Sequence, residues 1–357
     1  MARIRLENVS KTFGAFTAVE DLDLDIANGE FFVLLGPTGA GKTTTLRMIA
    51  GLEKPTVGRI YIDETDVNEW GPAERDVALV LQQYSLYPRL TVRDNLSFPL
   101  RSRARRMSQS DIDDRIAYAA KTLRIEHLLN RKTDRLSGGE MQRVSIGRAI
   151  VREPRVFLMD EPLSALDAKL REAMRGELKD LQMRLKATFI FVTHDQVEAM
   201  TMGDRMGVLN HGKIIQIGKP HEIYNNPVNT FVASFVGSPA INLLPGAVAG
   251  GRAVVTPQSF ELPLNGRGGE GNAYIFGIRP EDVEVAGGAP VEAKVHNIEN
   301  HGIEKILTLR AGTHLVRAAV PAKVNVAVEE TIRFGWKAEK AMIFEAATGI
   351  NLANRAA

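Results

Sequence analysis

Apolar residues in this chain occur either in short uninterrupted runs or in alternation with polar residues, and both patterns predict β-strands. Uninterrupted runs are typical of strands buried on both faces of a sheet. Such runs occur at 31–35, 77–81, 155–159 and 189–193, and a further strand is predicted at 58–62. Ile4, Leu6 and Val9 alternate with charged residues, which predicts an edge strand. A second alternating stretch ends before Asn28-Gly29, which predicts a hairpin turn there.

Helical patterns separate these strands. A helix is predicted from Thr44 to Leu52, a longer polar helical region from Thr91 to about Leu129, and a third helix from Ser137 to Ile150. The longer region carries four arginines and, directly afterwards, three aspartates that cancel their charge, so we interpret it as a solvated connector. These residues are Arg101, Arg103, Arg105, Arg106, Asp111, Asp113 and Asp114. Strands alternating with helices indicate an α/β fold.

The last third of the chain has a different pattern. From about Pro239 onward helical periodicity largely disappears, and short alternating runs separated by glycine pairs predict a small β-barrel. The runs are 273–278, 283–285, 291–298, 306–309, 314–318, 331–334 and 341–344, and the glycine pairs are 250–251, 268–269 and 287–288. An OB-type barrel can bind oligonucleotides, but aromatic and basic residues are sparse here, so dimerisation or regulation is the favoured role.

A phosphate-binding loop stands at the centre of the N-terminal pattern. Residues 36–43 read G-P-T-G-A-G-K-T and follow a buried strand and precede a helix, which is the context that the G-x-x-x-x-G-K-[ST] motif requires. Glycines let backbone N–H groups turn toward the phosphates, and the helix start adds its positive dipole end. Lys42 is predicted to reach the β- and γ-phosphates, and the Thr43 hydroxyl is predicted to bind Mg²⁺. The sequence therefore predicts a nucleotide site.

Two further segments predict parts of the same chemistry. The 155–159 strand ends in Asp160 and Glu161, where Asp160 would hold Mg²⁺ and Glu161 would orient the attacking water. Ser137 is a plausible N-cap followed by Gly138 and Gly139, which makes a second anion-binding helix start. One nucleotide cannot easily occupy both helix starts within one subunit, so the pattern indicates two subunits that share it.

Two other residues and one segment admit more than one interpretation. Phe13 could stack on an adenine or pack within the first turn. His194 could be a satisfied surface or core histidine, but it ends the 189–193 strand beside the Asp160-Glu161 element, so we favour contact with the γ-phosphate. The segment from Gln82 to Pro88, taken alone, is simply a strand exit that carries two amides and two tyrosines.

Composition limits the possible functions. The chain has 357 residues, no cysteine and a net charge of +2, with 44% hydrophobic and 25% charged residues. This length fits about two domains, and the charge provides no general attraction to nucleic acid. Disulfides and thiolate metal sites are excluded. The start lacks a signal-peptide pattern, and no apolar run approaches the length of a membrane span, so we expect any membrane role to depend on a partner.

The motifs together resemble one family, the ABC-type ATPases. The phosphate loop, Gln82, L-S-G-G at 136–139, D-E-P at 160–162, S-A-L-D at 164–167 and T-H-D at 193–195 occur in the family's order over about residues 3–237. Further runs resemble the ATPase subunits of carbohydrate importers of the maltose and glycerol-phosphate type: 51–53, 72–75, 84–88, 193–200 and 235–239. The run 277–281 resembles the OB-like, TOBE-type domain of those subunits. Departures from the family pattern are Phe13, Ala40, Thr43 and Glu140, none of which removes a catalytic group.

The resemblance implies a fold and a set of roles. The fold would be a RecA-like core with an antiparallel β subdomain and a helical subdomain at about 88–150, forming a nucleotide-binding domain at 1–238, followed by an OB-like domain at 239–357. The catalytic residues would be Lys42, Gln82, Glu161 and His194. The Mg²⁺ site would be formed by Thr43, Gln82 and Asp160. ATP would be bound by Phe13, Gly36, Pro37, Thr38, Gly39, Ala40, Gly41, Lys42, Thr43, Thr44, Ser137, Gly138, Gly139 and Asp167. Phe13 would stack on adenine, and Asp167 would bridge a dimer interface. Gln83, Tyr84 and Tyr87 would receive a permease helix.

The resemblance also implies partners and a location. The chain would form a homodimer on two transmembrane permease subunits at the cytoplasmic face of the cell membrane, with an extracytoplasmic solute-binding protein as an indirect partner and no nucleic acid. The solute would be a sugar, a polyol, or a glycosyl- or phospho-glycerol compound, which this chain does not itself select. A soluble ABC ATPase acting on nucleic acid and an exporter ATPase are the alternatives. The absence of a second cassette argues against the first, and the C-terminal β domain argues against the second.

Overall fold

The structure, a computed structural model, describes residues 2–102, 107–257, 260–264 and 268–354. The chain divides into two compact units, residues 1–220 and 221–357. Arg103, Arg105 and Arg106 of the predicted connector lie outside the described residues. The domain bounds of 238 and 239, and those of the helical subdomain, stay predictions.

The first unit contains strands and helices in alternation. Its strands are β1 Ile4–Phe13, β2 Phe16–Ile26, β3 Phe31–Leu35, β4 Val57–Ile62, β5 Thr65–Asp66, β6 Val77–Val80, β7 Val156–Asp160, β8 Thr188–Thr193, β9 Arg205–Asn210 and β10 Lys213–Gly218. Its helices are α1 Lys42–Ile49, α2 Val92–Ser97, α3 Gln109–Thr122, α4 Gly138–Ile150, α5 Ala168–Leu185 and α6 Gln196–Met202, with 3-10 turns at Phe98–Leu100, Glu126–Leu128 and Thr133–Arg135.

Two sheets organise this unit. One has the order β10-β9-β3-β8-β7-β6 and is parallel apart from β10, and the other is antiparallel with the order β2-β1-β4-β5. The central strands β3 and β8 are buried along their whole length, as their uninterrupted apolar runs predict. Because parallel strands place their carboxyl ends at one edge of the sheet, the residues that follow β3, β6, β7 and β8 meet there.

Two predictions about the N-terminal strands are wrong. The strand that begins at Ile4 is not an edge strand, because β1 lies between β2 and β4. Asn28-Gly29 does not close a hairpin, because β2 and β3 belong to different sheets. The turn instead carries the chain from one sheet to the other, and the hairpin that does form joins β1 to β2.

Helix α1 differs from its predicted bounds of 44–52 and is held at its carboxyl end by Arg75. This arginine is 1% exposed, and its Nη1 donates to the carbonyls of Met48 at 2.6 Å and Ile49 at 3.0 Å. A cation at a helix carboxyl end stabilises the last carbonyls and the dipole. The helix that follows the phosphate loop is therefore fixed at the end far from the loop.

The second unit is β-rich, as predicted. Its helices are α7 Pro220–Asn225, whose first residue belongs to the first unit, and α8 Thr230–Phe235, with 3-10 turns at Pro280–Asp282, Ala338–Lys340 and Leu352–Asn354. Its strands are β11 Asn242–Ala249, β12 Arg252–Val255, β13 Phe260–Pro263, β14 Ala273–Ile278, β15 Val283–Val285, β16 Val291–Asn300, β17 Glu304–Ala311, β18 His314–Pro321, β19 Thr331–Trp336 and β20 Met342–Glu345. The strands from β14 onward confirm the seven predicted runs, whereas β11 to β13 were not predicted.

These strands form two antiparallel sheets around a shared core. The orders are β13-β12-β11-β14-β20 and β15-β19-β16-β17-β18, and the core joins Phe276 of the first sheet to Val295 and Leu309 of the second. Arg279 of the 277–281 run is buried and donates to the carbonyls of Tyr224, Ala233 and Val236. The arginine thereby attaches the helical start of this unit to its β structure.

Candidate nucleotide site

The phosphate loop connects β3 to α1 and is folded tightly against neighbouring backbone. A Cβ on Gly36 would lie 2.3 Å from the carbonyl oxygen of Leu209 in β9, so only glycine fits. Gly41 directly precedes α1 with φ +103°, and a Cβ on this residue would lie 2.5 Å from the carbonyl oxygen of Ala18 in β2. The two glycines therefore let the loop lie against β2 and β9 while residues Thr38 to Thr44 line the neighbouring cleft.

The Lys42 side chain curls back over this loop. Its ammonium donates to the carbonyl oxygens of Gly36 at 2.8 Å and Pro37 at 3.0 Å, and it lies 3.6 Å from Oε1 of Glu161. The side chain is 5% exposed, and this burial lowers the pKa of Lys42. A buried cation that is held mainly by backbone carbonyls is well placed to interact with phosphate oxygens.

Asp160 and Thr43 form an oxygen pair at the base of the cleft. Asp160 ends β7, and the Thr43 hydroxyl at the start of α1 donates to its Oδ1 at 3.0 Å. Burial raises the pKa of Asp160, with the adjacent Glu161 contributing, while the bond from Thr43 opposes the rise. A carboxylate beside a hydroxyl is a hard oxygen donor set, which fits Mg²⁺. Two of the three predicted metal ligands, Thr43 and Asp160, are thus in contact with each other.

Glu161 occupies an unusual backbone position between two potential partners. Its φ is +45°, in the left-handed region that a residue with a side chain rarely adopts, and its N–H donates to the carbonyl of Val192. The carboxylate lies 3.0 Å from Nδ1 of His194 through Oε2 while its other oxygen faces Lys42. The side chain is 18% exposed. This geometry places a carboxylate between a cation and an imidazole.

Gln82 follows β6 and reaches the same edge. Its Nε2 donates to Oγ of Ser164 at 3.2 Å, and that hydroxyl donates in turn to the backbone carbonyl of Glu161 at 2.8 Å. Gln82 is thereby linked to the backbone that carries Glu161. The link through Ser164 was not predicted from the sequence, because Gln82 and Ser164 are 82 positions apart.

A cleft of about 530 Å³ gathers most of the predicted residues. It is lined by Phe16, Ala18, Thr38, Gly39, Ala40, Gly41, Lys42, Thr43, Thr44, Gln82, Asp160, Glu161 and His194. Phe16 and Ala18 were not predicted. Phe13 pairs with Phe16 across the β1–β2 hairpin, is 45% exposed, and has the ammonium of Lys11 at 4.8 Å from its ring centroid. The aromatic that faces the cleft in this structure is Phe16, and the adenine-stacking role of Phe13 stays a prediction.

The second predicted helix start is not among the residues that line this cleft. Ser137 caps α4, and Glu140 completes a capping box by accepting from the Ser137 N–H at 2.7 Å. That bond lowers the pKa of Glu140. Asp167 likewise caps α5 by accepting from the N–H of Leu170 at 3.0 Å. The structure therefore assigns both residues a local capping contact and leaves their predicted nucleotide roles as predictions.

The segment that follows Gln82 presents aromatic surface. Gln83 is exposed, Tyr87 is 40% exposed, and the Tyr87 ring lies 4.4 Å from that of Phe98 between centroids. Phe98, 52% exposed, was not predicted. Among the described residues, no helix combines the length and apolarity needed to cross a bilayer.

Three family descriptions match the chain. "ABC transporter" matches residues 19–164, "MalK OB fold domain" matches 237–283 and "TOBE domain" matches 276–344.

Curated relatives match almost the full length. The trehalose/maltose import ATP-binding protein MalK of Thermococcus litoralis is 49% identical over 373 residues, covering 98% of this chain and 99% of the relative. The sn-glycerol-3-phosphate import ATP-binding protein UgpC of Brucella abortus is 46% identical over 97% of this chain and 98% of the relative. The xylose/arabinose import ATP-binding protein XacJ of Haloferax volcanii is 43% identical over 99% and 97%.

Solved structures match part of the chain. A dimeric ATP-binding cassette in a post-hydrolysis state, bound to ADP and Pi, is 35% identical with a TM-score of 0.54, covering 60% of this chain and 98% of its own. An ATP-binding cassette of an ABC transporter in its ADP conformation is 26% identical with a TM-score of 0.56, covering 61% and 91%. These likenesses confirm the predicted α/β nucleotide-binding fold and, with the TOBE match, the predicted C-terminal β domain.

Proposed function

Because this chain belongs to the ATP-binding subunits of carbohydrate-type ABC importers, which are ATPases coupled to transport, we propose that it drives uptake of a sugar or a related solute. Polyols and glycosyl- or phospho-glycerol compounds are included in that solute class. The observation that carries the proposal is the meeting of Lys42, Glu161 and His194 beside the Thr43–Asp160 pair, at the ends of parallel strands.

ATP is proposed to bind with its phosphates over the loop from Gly36 to Thr44. The Lys42 ammonium then exchanges its carbonyl contacts and its ion pair with Glu161 for phosphate oxygens. Thr43 and Asp160, with Gln82, would hold Mg²⁺, which when bound neutralises charge on the phosphates. Phe13, with Phe16 beside it, provides the aromatic surface for the adenine.

Hydrolysis is assigned to Glu161. Once Lys42 faces the phosphates, the Glu161 carboxylate is free to accept a hydrogen bond from a water molecule in line with the γ-phosphate. The bond between Glu161 and His194 orients that carboxylate, and the strained backbone at Glu161 limits the directions in which it can turn. The Gln82–Ser164 contact links the same backbone to the segment that carries the surface tyrosines.

The complete site is proposed to need two copies of this chain. Ser137, Gly138 and Gly139 would bind the γ-phosphate held by the other protomer, and Asp167 would bridge the interface. ATP binding closes the dimer over two such composite sites, and hydrolysis reopens it. The support is that the α4 start does not line the cleft of its own chain, although its residue types suit an anion.

The proposed partners are two transmembrane permease subunits and, indirectly, an extracytoplasmic solute-binding protein. The chain would sit peripherally on the cytoplasmic face of the cell membrane, with Gln83, Tyr84 and Tyr87 against a permease helix. Residues 1–238 would act as the ATPase domain, and 239–357 as a domain for dimerisation or regulation. No nucleic-acid partner is proposed.

Co-purification tests this proposal directly. The tagged chain expressed with its cognate permease subunits should be recovered with them, and its ATPase rate in vesicles should rise when the loaded binding protein is added. The ligand of that binding protein identifies the solute. Recovery with nucleic acid or ribosomes, and no rate increase with permease and loaded binding protein, would contradict the proposal.

A further inference from the structure

Helix α4 is contacted along one face by the segment that carries the surface tyrosines. The hydroxyl of Tyr84 lies 3.3 Å from where a Cβ on Gly138 would stand, in the first turn of α4. Two turns later the Ser145 hydroxyl donates to the Tyr84 carbonyl at 3.0 Å. One turn beyond that, Arg148 donates from Nη1 to the Ser85 carbonyl at 2.7 Å. Positions 138, 145 and 148 share one face of a helix, so the segment runs along α4.

Arg148 also reaches the aromatic surface. Its guanidinium lies 5.5 Å from the centroid of the Tyr87 ring, and the same ring contacts Phe98. Arg148, Tyr87 and Phe98 line a groove of about 230 Å³ together with Ser145, Ala149 and Pro99. A cation over a ring is attracted by its electron-rich face. The arginine therefore touches both the backbone of the segment and its exposed aromatic side chain.

The backbone that Arg148 holds is strained. Ser85 has φ +49°, a left-handed conformation that costs roughly 1 kcal/mol or more for a residue with a side chain. A charged donor on its carbonyl offsets part of that cost. On the far side, Asn95 binds both backbone groups of Tyr87, accepting from its N–H at 2.9 Å. From Tyr84 onward the segment is thus attached to α4 and α2, whereas Gln82, which precedes it, lines the cleft.

We propose that Ser145 and Arg148 are positioning residues that transmit permease docking at Tyr87 to helix α4, and hence to Ser137–Gly139 at its start. This inference rests on the proposed function, since it needs a permease at the tyrosine surface. The contacts of Ser145 and Arg148 would thus connect the tyrosine surface to α4, in addition to the contact of Gln82 with Ser164, which connects the same segment to Glu161. Docking on Tyr87 changes the position of α4 directly, because a rigid helix joins Arg148 to the residues that would face the partner's phosphate.

The test compares Arg148→Met with Arg115→Met as a matched control. Arg115 is also partly buried and donates to a backbone carbonyl, that of Val151 at 3.2 Å, but it pairs with Glu153 and not with the segment that carries the tyrosines. In vesicles with permease and loaded binding protein, Arg148→Met should reduce the stimulated ATPase rate about 5- to 20-fold, which is the lower part of the range of typical couplings between sites. The basal rate of the isolated subunit and its ATP affinity should stay within about twofold, as in Arg115→Met.

Two additional variants complete the test. Ser145→Ala removes one hydroxyl and should reduce the permease-stimulated ATPase rate less than Arg148→Met does. If Arg148→Met fails to fold, the rate of Ser145→Ala still tests the connection. Tyr87→Ala combined with Arg148→Met should lower stimulation no further than the more severe single variant, since both act in one connection.

The possible failures can be told apart. If Tyr87→Ala leaves stimulation intact, the proposed docking surface is wrong. If Tyr87→Ala lowers stimulation while Arg148→Met and Ser145→Ala match Arg115→Met, the docking surface stands and the connection through α4 is overturned. Equal losses of basal and stimulated rate in Arg148→Met would show a purely structural role and would also overturn it.

Discussion

The two helix starts that we predict to bind phosphate, those of α1 and α4, are built differently. Gly41 precedes α1 without a side-chain hydrogen bond to cap it, and Lys42 curls over the adjoining loop in a cleft. Ser137 and Glu140 cap α4 reciprocally. The α1 start therefore lies within a cleft of its own chain, whereas the α4 start is stabilised by its own cap, and we propose that its ligand is the nucleotide of the partner protomer.

Ser137→Arg should abolish ATPase activity and leave ATP binding to the monomer unchanged, because the added cation would enter the partner's γ-phosphate position. Rate and nucleotide-binding measurements on purified protein check this. Ser108→Arg is the matched control, since Ser108 caps α3 with Asp111 in the same reciprocal arrangement. Loss of either cap costs about 1 kcal/mol of stability. Equal losses of activity in the two variants would contradict the special role of α4.

Glu161→Gln should keep ATP affinity and reduce hydrolysis by about a thousandfold, because the amide preserves the shape but cannot accept a proton from water. Its dimers should stay closed on ATP, which gel filtration detects. A hydrolysis rate near that of the wild type would remove Glu161 from the catalytic role.

Tyr87→Ala should lower transport and permease-stimulated ATPase together and leave the basal rate unchanged. An interface tyrosine typically contributes about 2 kcal/mol, which corresponds to roughly thirtyfold weaker docking. Rates in vesicles with and without loaded binding protein measure this. Tyr118→Ala, which truncates a 51% exposed tyrosine on α3, is the control. Loss of the basal rate would make Tyr87 a folding residue instead.

Glu140→Gln should have the smallest effect, and that effect should depend on pH. The Ser137 N–H holds the pKa of Glu140 below its ordinary value of 4.5, so its stabilising contribution is present above that value and is lost as pH falls through the lowered pKa. The wild type should be more stable than the variant by about 0.3 kcal/mol near neutral pH, since solvent screens this carboxylate. Unfolding curves should show the difference shrinking below pH 4.5. A difference that grows toward acid would contradict it.

What the sequence predicted well is what depends on neighbours along the chain. The loop from Gly36 to Thr43, the carboxylates that follow β7 and the cap at Ser137 are each defined within a few residues, so motif and periodicity locate them. Because parallel strands end at the same edge of the sheet, the phosphate loop after β3 and the carboxylates after β7 then lie close together. The short strands from β14 onward were predicted for the same reason, because alternation is a local property.

What the sequence did not predict depends on contacts between distant residues. The edge-strand prediction for β1 failed because its paired residues in β4 come 47 to 58 positions later, and no local pattern indicates that pairing. The hairpin prediction at Asn28 failed because the same turn residues also join two different sheets. Phe16, Ser164 and Arg148 were missed because each gains its meaning only from a partner across the fold.

A mixed dimer tests the shared site most directly. Glu161→Gln is introduced into both chains so that bound ATP is not hydrolysed. Ser137→Arg is added to one chain and Lys42→Ala to the other. Each chain carries a different affinity tag, and dimers that contain both tags are purified. The phosphate loop of the first chain and the α4 start of the second then form one intact site, and the remaining site is doubly broken. We expect one ATP per mixed dimer to remain bound after free nucleotide is washed out, and none in either parent, because ATP bound to a single open protomer exchanges with the solution. Retention of no ATP by the mixed dimer would show that each site lies within a single protomer and would contradict the account.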